Sequence, residues 1–391
     1  MRRLEGRVQP YAWGSTDFIP ELLGVEPTGE PQAELWLGAH TSAPAMVDGQ
    51  PLDAVIAADP KGTVGEKSVQ HFGPLLPYLL KVLSASKPLS LQAHPTRAQA
   101  EAGFGAEQEA GVALDAPTRT YRDDWPKPEM LCALVKTQVL CGFREPAETY
   151  ALFEALGVPS ALELVQPLRD GGAESLKKVF QDILRLGEDE RAVVGEVVEA
   201  TGRVDDQDDL GLFADTAQRL GGAYPGDPGV LGALLMNRVT LEPGQATFLG
   251  AGNLHAYLEG SAVEIMANSD NVLRGGLTSK SVNVEELLKI LDFTPGFPGF
   301  VPCTEGPAGV WSYEPYAEEF ALWRLVPGGA TAPVPNGHTA RVVLVTEGEF
   351  MLQSGSEQLE LARGRSAFLS AGEEATLEGR GLAFVAGPGI G

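Results

Sequence analysis

A short pattern that occurs twice constrains the fold of this chain more than any other feature. The pattern is Leu-x-x-Gly-x-x-x-Phe-Leu-x-Ala-Gly, and its copies span 241–252 and 361–372. Each copy predicts a turn, a short strand and a second turn, because glycine favours turns and Phe-Leu pairs favour strands. A repeat of this kind indicates two related β-barrel units in one chain.

A segment of different character lies between the N-terminal part of the chain and the first copy of the pattern. In 146–236 apolar residues recur at helical spacing beside polar faces, which predicts an α-helical insert. The expected helices are 148–156, 161–168, 175–186, 189–200, 214–220 and 229–236. Elsewhere the 47 glycines and 29 prolines are more typical of short strands and turns than of a helical bundle. The expected class is mostly β with an α-helical insert, and 1–145 is expected to be strands and irregular connections.

Charge and cysteine content exclude several classes of protein. The formal net charge of −24 argues against nucleic-acid binding, and it would repel an anionic substrate unless basic residues cluster in a pocket. Cys132, Cys141 and Cys303 form an odd set without metal-ligand spacing, which fits a reducing compartment. Neither a signal peptide nor a membrane span is predicted. We expect a soluble, cytoplasmic monomer.

The densest group of reactive side chains lies in 252–280. Its members are His255, Tyr257, Glu264, Asp270, Arg274 and Lys280. Residues 263–266 predict a strand, and 268–271 with the Gly275-Gly276 pair predict turns. These polar groups are therefore expected at strand ends and in loops, where binding residues are commonly found.

A second group precedes Pro95. Residues 89–94 predict a strand that ends at His94, because proline cannot continue the ladder. With period two, Ser90, Gln92 and His94 would point to one face. Thr96 is then expected to cap a helix. A half-exposed strand with a solvated polar face is the alternative interpretation, and the parallel ligand atoms of Gln92 and His94 weaken it.

A third group is Lys127-Pro128-Glu129, which opens an apolar strand over 130–134. Lys127 and Glu129 share a face if the segment is extended, as Pro128 favours. Taken alone, the two residues are better explained as a surface ion pair. Considered with the other groups, Glu129 becomes a candidate metal ligand.

Four candidate ligands come from these separated segments: Gln92, His94, Glu129 and His255. Two imidazoles, one carboxylate and one amide suit zinc. Because only Glu129 is charged, bound Zn²⁺ would retain a net charge near +1 and act as a Lewis acid. The cations of the local anion-binding cluster would be Lys127, Arg274 and Lys280, with Ser90 beside them. An ion pair with Asp270 is the alternative role for Arg274, and His40 is expected to be structural or to line the pocket.

The sequence resembles the type I mannose-6-phosphate isomerases (phosphomannose isomerases). The resemblance covers nearly the whole chain, and the segments that carry it are 33–40, 87–95, 127–130 and 255–280. It implies zinc ligation by the four residues named above and a pocket formed by Ser90, Lys127, Tyr257, Asp270, Arg274 and Lys280, with Arg274 catalytic. It also implies two cupin-like jelly-roll barrels and a helical domain.

On this basis three units are expected. A metal-bearing barrel would comprise 1–145 with 237–310, the helical insert 146–236, and a C-terminal barrel 311–391. The C-terminal barrel is expected to lack metal ligands, because Ala375 occupies the position that matches His255. Many family members have His immediately before Lys-Pro-Glu, whereas this chain has Pro126, so a mechanism that uses that imidazole cannot operate here.

The implied reaction interconverts mannose 6-phosphate and fructose 6-phosphate through a cis-enediol, with one zinc ion per chain. Candidate bases are Glu264, Asp270, Lys127 and a zinc-bound water, with a preference for Lys127 or a carboxylate. Lys280 and Ser90 are the expected phosphate anchors. Two other functions remain open on residues alone: a sugar-phosphate-binding regulatory cupin without turnover, and an iron-dependent oxygenase, which the glutamine ligand disfavours.

Overall fold

The computed structural model describes residues 1–205, 208–314 and 316–390, and it is built on two antiparallel sheets. The strands in chain order are β1 (Arg2–Glu5), β2 (Arg7–Gln9), β3 (Glu34–Gly38), β4 (Met46–Val47), β5 (Gln50–Pro51), β6 (Tyr78–Ala85), β7 (Gln92–Ala93), β8 (Glu129–Ala133), β9 (Thr137–Phe143), β10 (Met236–Leu241), β11 (Ala246–Leu249), β12 (His255–Ala267), β13 (Leu273–Arg274), β14 (Cys303–Glu305), β15 (Val310–Tyr313), β16 (Ala321–Leu325), β17 (Thr331–Pro333), β18 (Arg341–Ser354), β19 (Glu357–Ala362), β20 (Ser366–Leu369) and β21 (Thr376–Gly387). The helices are α1 (Phe18–Leu23), α2 (Leu52–Ala58), α3 (Pro60–Val64), α4 (Glu66–Phe72), α5 (Arg97–Glu109), α6 (Pro146–Leu156), α7 (Pro159–Val165), α8 (Gly172–Leu184), α9 (Ala192–Thr201), α10 (Asp209–Ala223), α11 (Gly229–Leu234) and α12 (Val284–Ile290). None of the helices in these ranges has the length and apolar character that crossing a membrane requires. The predicted class, mostly β with a helical insert, is confirmed.

Strand β12 is the centre of the first sheet. It pairs with β6, β7, β8 and β9, and β11 and β13 extend the sheet further. The predicted strand over 263–266 is therefore too short, because polar and apolar residues already alternate from His255 to Leu258. A register shift near Glu259 lets the strand continue. His255 thus lies at a strand end, as predicted, whereas Tyr257 lies within the strand.

The second sheet runs in the order β14, β15, β16, β21, β18, β20, β1, β4 and β5. Strand β1 pairs with β20, so the beginning of the chain closes onto its C-terminal part. Strand β14 joins the same sheet at its other end by pairing with β15, although β1 and β14 both belong to sequence ranges assigned above to the first barrel. The division into three units stays a prediction, and positions 206, 207, 315 and 391 of it lie outside the described residues.

The two copies of the sequence pattern form matching elements. The first copy contains β11 between turns at Gly244 and Gly252, and the second copy contains β20 between turns at Gly364 and Gly372. All four glycines have φ between +77° and +84°. A residue with a Cβ adopts this left-handed conformation only at a cost in free energy, whereas glycine adopts it readily. The turn geometry therefore explains why the pattern has glycine at these positions. The predicted turn–strand–turn units are confirmed.

The helical insert packs behind the strand segment that carries Gln92. Helices α6 to α11 lie close to the predicted ranges, although α10 begins earlier than expected. Their core contains Phe153, Phe180 and Phe213, and Leu91 belongs to the same apolar cluster. The helical segment therefore supports one wall of the region that holds the candidate ligands.

Two local predictions were wrong. Helices α2, α3 and α4 occupy 52–72, where strands and irregular connections were expected, because those helices are too short for their periodicity to be evident. Of the strand expected over 89–94, only the two residues of β7 form a strand. Leu89 instead donates one backbone hydrogen bond to Tyr257, and Leu91 donates to Gly276 and accepts from Gly275, so the segment makes isolated backbone contacts without a continuous ladder. Thr96 does cap α5, through a capping box with Gln99.

Candidate active site

Two imidazoles and a carboxylate meet at the ends of distant strands. The potential ligand atoms of His94, Glu129 and His255 all lie within 4.8 Å of one another. Nε2 of His94 is 3.4 Å from Oε1 of Glu129, and Nε2 of His255 is 3.4 Å from Oε2 of the same carboxylate. All three side chains are buried. The glutamate thus lies between the two histidines.

Strand register brings Gln92 to the same place. Glu129 opens β8, His255 opens β12, and His94 follows β7 directly. Gln92 pairs with His255 on one side and with Arg274 on the other. The amide that was predicted as fourth ligand is therefore a ladder neighbour of one imidazole and of the predicted catalytic arginine.

Hydrogen bonds hold both imidazoles in the form that binds a metal. Nδ1 of His94 donates to the carbonyl of Asn271 at 2.7 Å, and Nδ1 of His255 donates to the carbonyl of Asn253 at 3.0 Å. Each Nε2 consequently keeps its lone pair. Nε2 of His94 is buried and has no hydrogen-bond partner. Burial lowers the pKa of His94 to about 4, so this ring is neutral near pH 7.

Glu129 is ionised in spite of its burial. Burial raises its pKa, but the ammonium of Lys127 opposes this, and the pKa of Glu129 lies well below its usual range. Nζ of Lys127 lies 2.9 Å from Oε1 of Glu129. The two residues are only 7% and 3% exposed, so the surface ion pair considered above is in fact a buried one. An anionic oxygen, two imidazole lone pairs and a nearby amide fit a divalent metal ion such as zinc.

A cavity of about 380 Å³ adjoins this centre. The predicted site residues that line it are Ser90, Gln92, Lys127, Asp270, Arg274 and Lys280. Lys127 connects the two features, because it lines the cavity and contacts Glu129. Tyr11, Trp13 and Trp36 contribute aromatic surface, and His40 also lines the wall. The structure thus brings together six predicted residues from three separate segments.

Tyr257 and Glu264 do not join these residues at the cavity surface. Both are buried, and neither is among the described residues that line the cavity. The hydroxyl of Tyr257 donates to Oε1 of Glu264 at 2.6 Å, while Nζ of Lys81 is 3.0 Å from Oε2. Both carboxylate oxygens of Glu264 are therefore already occupied by protein donors.

Lys81 and Glu34 are cavity residues that the sequence analysis missed. Nζ of Lys81 lies 3.7 Å from Oε1 of Glu34, whose Oε2 accepts a hydrogen bond of 2.6 Å from Trp36. Burial raises the pKa of Glu34, although Lys81 partly opposes this. A signal was present in the sequence. Each residue is the lone charge in an otherwise apolar strand, and a buried charge of this kind often marks a functional site.

Arg274 is not held by Asp270. The carboxylate of Asp270 instead contacts His40, with Oδ1 3.3 Å from Nε2, and this hydrogen bond lowers the pKa of Asp270. Burial and the charge of Arg122 lower the pKa of Arg274. The ion pair that was the alternative role for Arg274 is absent from the described residues. Its guanidinium is therefore available to bind a ligand in the cavity.

Asn271 connects His94, a candidate metal ligand, to the neighbouring loop. Its carbonyl accepts the hydrogen bond from His94, while its side-chain oxygen accepts one from the backbone N–H of Arg122 at 2.7 Å. Its amide group donates to the carbonyls of Asp123 and Trp125, both at 2.8 Å. The sequence analysis assigned Asn271 only to a turn. The position of its side chain depends on residues nearly 150 places away, which no local pattern reveals.

Comparison with known proteins identifies the family. Residues 1–146 match the family model for the catalytic domain of phosphomannose isomerase type I, and 315–387 match that for the cupin domain of mannose-6-phosphate isomerase. The mannose-6-phosphate isomerase of Escherichia coli (strain K12) is 36% identical, in an alignment covering 97% of this chain and 98% of that protein. This chain belongs to the type I mannose-6-phosphate isomerase family. It is an isomerase, as the resemblance implied.

More distant relatives and solved structures agree. The mannose-6-phosphate isomerase of Rattus norvegicus is 32% identical, with 95% of this chain and 93% of that protein covered. The apo form from Salmonella typhimurium superposes with a TM-score of 0.92 at 33% identity, covering 100% of this chain and 99% of that chain. A zinc-bound mannose 6-phosphate isomerase gives a TM-score of 0.91 at 32% identity, with the same coverage. The cupin-like fold implied by the resemblance is thereby confirmed.

Replacing Glu129 by Gln tests the metal centre. Glu129→Gln removes the only anionic ligand, and we expect zinc affinity to fall by at least the 10–100-fold that is typical for losing a supporting residue of a metal site. Zinc content after extensive dialysis measures the effect. Glu319→Gln is the control, because Glu319 is also buried but pairs with Arg97 outside the centre. If Glu129→Gln retains close to one zinc ion per chain after dialysis, the assignment of Glu129 as a metal ligand is contradicted.

Proposed function

We propose that this chain interconverts mannose 6-phosphate and fructose 6-phosphate through a cis-enediol, using one zinc ion held by Gln92, His94, Glu129 and His255. The observation that carries the proposal is the contact between Lys127 and Glu129, because it joins a buried metal-type centre to a cation-lined cavity. Membership of a family named for mannose 6-phosphate isomerisation supports the substrate.

The metal site would provide one part of the chemistry. A zinc ion bound there would act as a Lewis acid toward a sugar oxygen. The hydrogen bonds from His94 and His255 to backbone carbonyls fix the ring orientations before a metal arrives. Little reorganisation is then needed when the site is filled, and preorganisation of this kind is where enzymes obtain much of their electrostatic stabilisation.

Isomerisation also requires a base that removes the proton from C2 and returns it to C1. We assign this role to Asp270, since its carboxylate lines the cavity and the hydrogen bond with His40 lowers its pKa, which keeps it ionised at neutral pH. Glu264 is less suited, because Tyr257 and Lys81 occupy both of its oxygens. We assign Lys127 to proton exchange at the sugar oxygens O1 and O2, as an ammonium donor beside the metal site.

Arg274 and the remaining predicted residues would bind the substrate. Arg274 stays protonated at working pH and therefore stabilises negative charge on the enediolate instead of acting as a base. Lys280 and Ser90, which line the same cavity, are the proposed phosphate anchors. Tyr257 was predicted to bind substrate, but its hydroxyl is engaged by Glu264, so we assign it to positioning Glu264 and, through it, Lys81.

Turnover of mannose 6-phosphate by zinc-replete protein in a coupled assay tests the proposal. We expect conversion to fructose 6-phosphate, its loss on treatment with a chelator and its return when zinc is added back. Measuring zinc content at each step shows that the loss follows the metal. Binding of mannose 6-phosphate without any turnover would instead make the protein a regulatory sugar-phosphate-binding cupin, and the proposed function would fail.

Arg274→Ala tests the transition-state role of the arginine. Loss of one donor to a developing oxyanion typically lowers kcat by about 10²–10³-fold, and we expect an effect of that size here. Zinc content and thermal stability should stay near wild type, because Arg274 forms no ion pair in the described ranges. Arg203→Ala, which removes an exposed arginine whose ion pair within the described residues is with Glu199, is the control. An unchanged kcat with a raised KM would show that Arg274 only binds the ground state.

A further inference from the structure

A second cavity of about 760 Å³ adjoins the one described above. The two cavities share a wall that contains Asp270, Val272, Arg274, Ser279 and Lys280. Beyond that wall the second cavity is lined by the loop that carries Arg122 and by hydroxyl and amide side chains. The residues that belong only to this cavity include Thr118, Thr120, Ser281 and Asn283. The shared wall is thus bordered by hydrogen-bond donors on both sides.

Three cations meet at this wall without a carboxylate partner. Arg122, Arg274 and Lys280 form no ion pair with Asp or Glu in the part of the chain that is described. They repel one another: Arg274 is the main cause of the lowered pKa of Lys280, and Arg122 contributes to the lowering for both other groups. Asp270 also borders the cavity, but its carboxylate contacts His40. An anion from outside the chain is what this arrangement lacks.

Arg122 is held in place before any anion binds. Its backbone N–H donates to Asn271, and its guanidinium donates to the carbonyls of Leu114 and Ala116. Its Nε and remaining N–H groups make no hydrogen bond within the described ranges. A guanidinium that is fixed in this way loses little conformational entropy on binding a planar or tetrahedral oxyanion. Arg119, the other arginine of this cavity, is unavailable because it pairs with Glu107.

We propose that the junction of the two cavities binds the dianionic phosphoryl group of the substrate, and that Arg122 binds this group as a further cation beside Lys280. Arg122 then distinguishes phosphorylated from free sugars. The inference rests on the proposed function for the identity of the sugar, but phosphate recognition can be measured without turnover. A phosphate monoester carries a charge of about −1.5 to −2 at pH 7, which suits three unpaired cations on an otherwise acidic protein.

The alternative role for Arg122 is only to hold the loop around 114–116 in place. The test must separate this structural role from phosphate binding. Arg122→Gln keeps an amide that can donate to the carbonyls of Leu114 and Ala116, but it removes the charge. Arg122→Lys keeps the charge but loses the planar fork. Arg203→Gln removes one positive charge from an exposed site in the helical insert, and it is the matched control for net charge.

Isothermal titration of zinc-replete protein with inorganic phosphate tests the inference. We expect Arg122→Gln to raise the Kd for phosphate about tenfold or more, because hydrogen bonds to charged groups are worth at least that factor. Arg122→Lys should restore binding to within about threefold of wild type, since a point charge still attracts phosphate. Arg203→Gln should bind as wild type does.

Two outcomes would overturn the inference. One is a wild-type Kd for phosphate in Arg122→Gln. The other is weaker phosphate binding in Arg122→Gln that Arg122→Lys does not restore, which would indicate that Arg122 only holds the loop around 114–116 in place. If Arg122→Gln weakens phosphate binding and Arg122→Lys restores it while wild-type protein does not turn over mannose 6-phosphate, the phosphate site stands and only the proposed isomerisation fails.

Discussion

The buried carboxylate of Glu129 is the group on which the rest of the site depends. An unpaired charge in a protein interior costs several kcal/mol, so it must be matched by neighbouring groups. Here Lys127 matches the charge at 2.9 Å, whereas Nε2 of His94 and Nε2 of His255, each 3.4 Å from the carboxylate, present lone pairs. One cation and several electron-rich atoms thus converge from distant parts of the chain. This arrangement explains why a metal cation is a natural further partner of the carboxylate.

The segment from Asn271 to Lys280 connects this centre to the two cavities. Asn271 fixes His94 through its carbonyl and the Arg122 loop through its side chain. Arg274, three residues on, pairs in β13 with Gln92 of β7. Candidate metal ligands and cationic groups are thus positioned by the same short stretch of backbone. This arrangement explains how a chain with a net charge of −24 can present the local cationic site that the proposed anionic substrate requires.

Features of the fold and site that depend on local patterns were predictable from sequence. The glycine positions of the repeat, the helical insert and the cap at Thr96 follow from backbone preferences. Residue chemistry also selected His94, Glu129 and His255, which the structure brings together as a group that could hold a metal ion. Features that depend on tertiary packing were not predictable: Tyr257 and Glu264 face each other instead of the cavity, and Asp270 contacts His40, which is 230 positions away in the chain. Lys81 was accessible to sequence reasoning as a lone charge in an apolar strand, but no pattern indicated its partners.

A zinc anomalous difference map from crystals soaked with mannose 6-phosphate tests the central claim most directly. The account predicts one zinc peak per chain, about 2.0–2.2 Å from ligand atoms of Gln92, His94, Glu129 and His255. It also predicts the sugar in the cavity that Lys127 and Arg274 line. A zinc peak away from Glu129, or a sugar bound on another face of the protein, would contradict it.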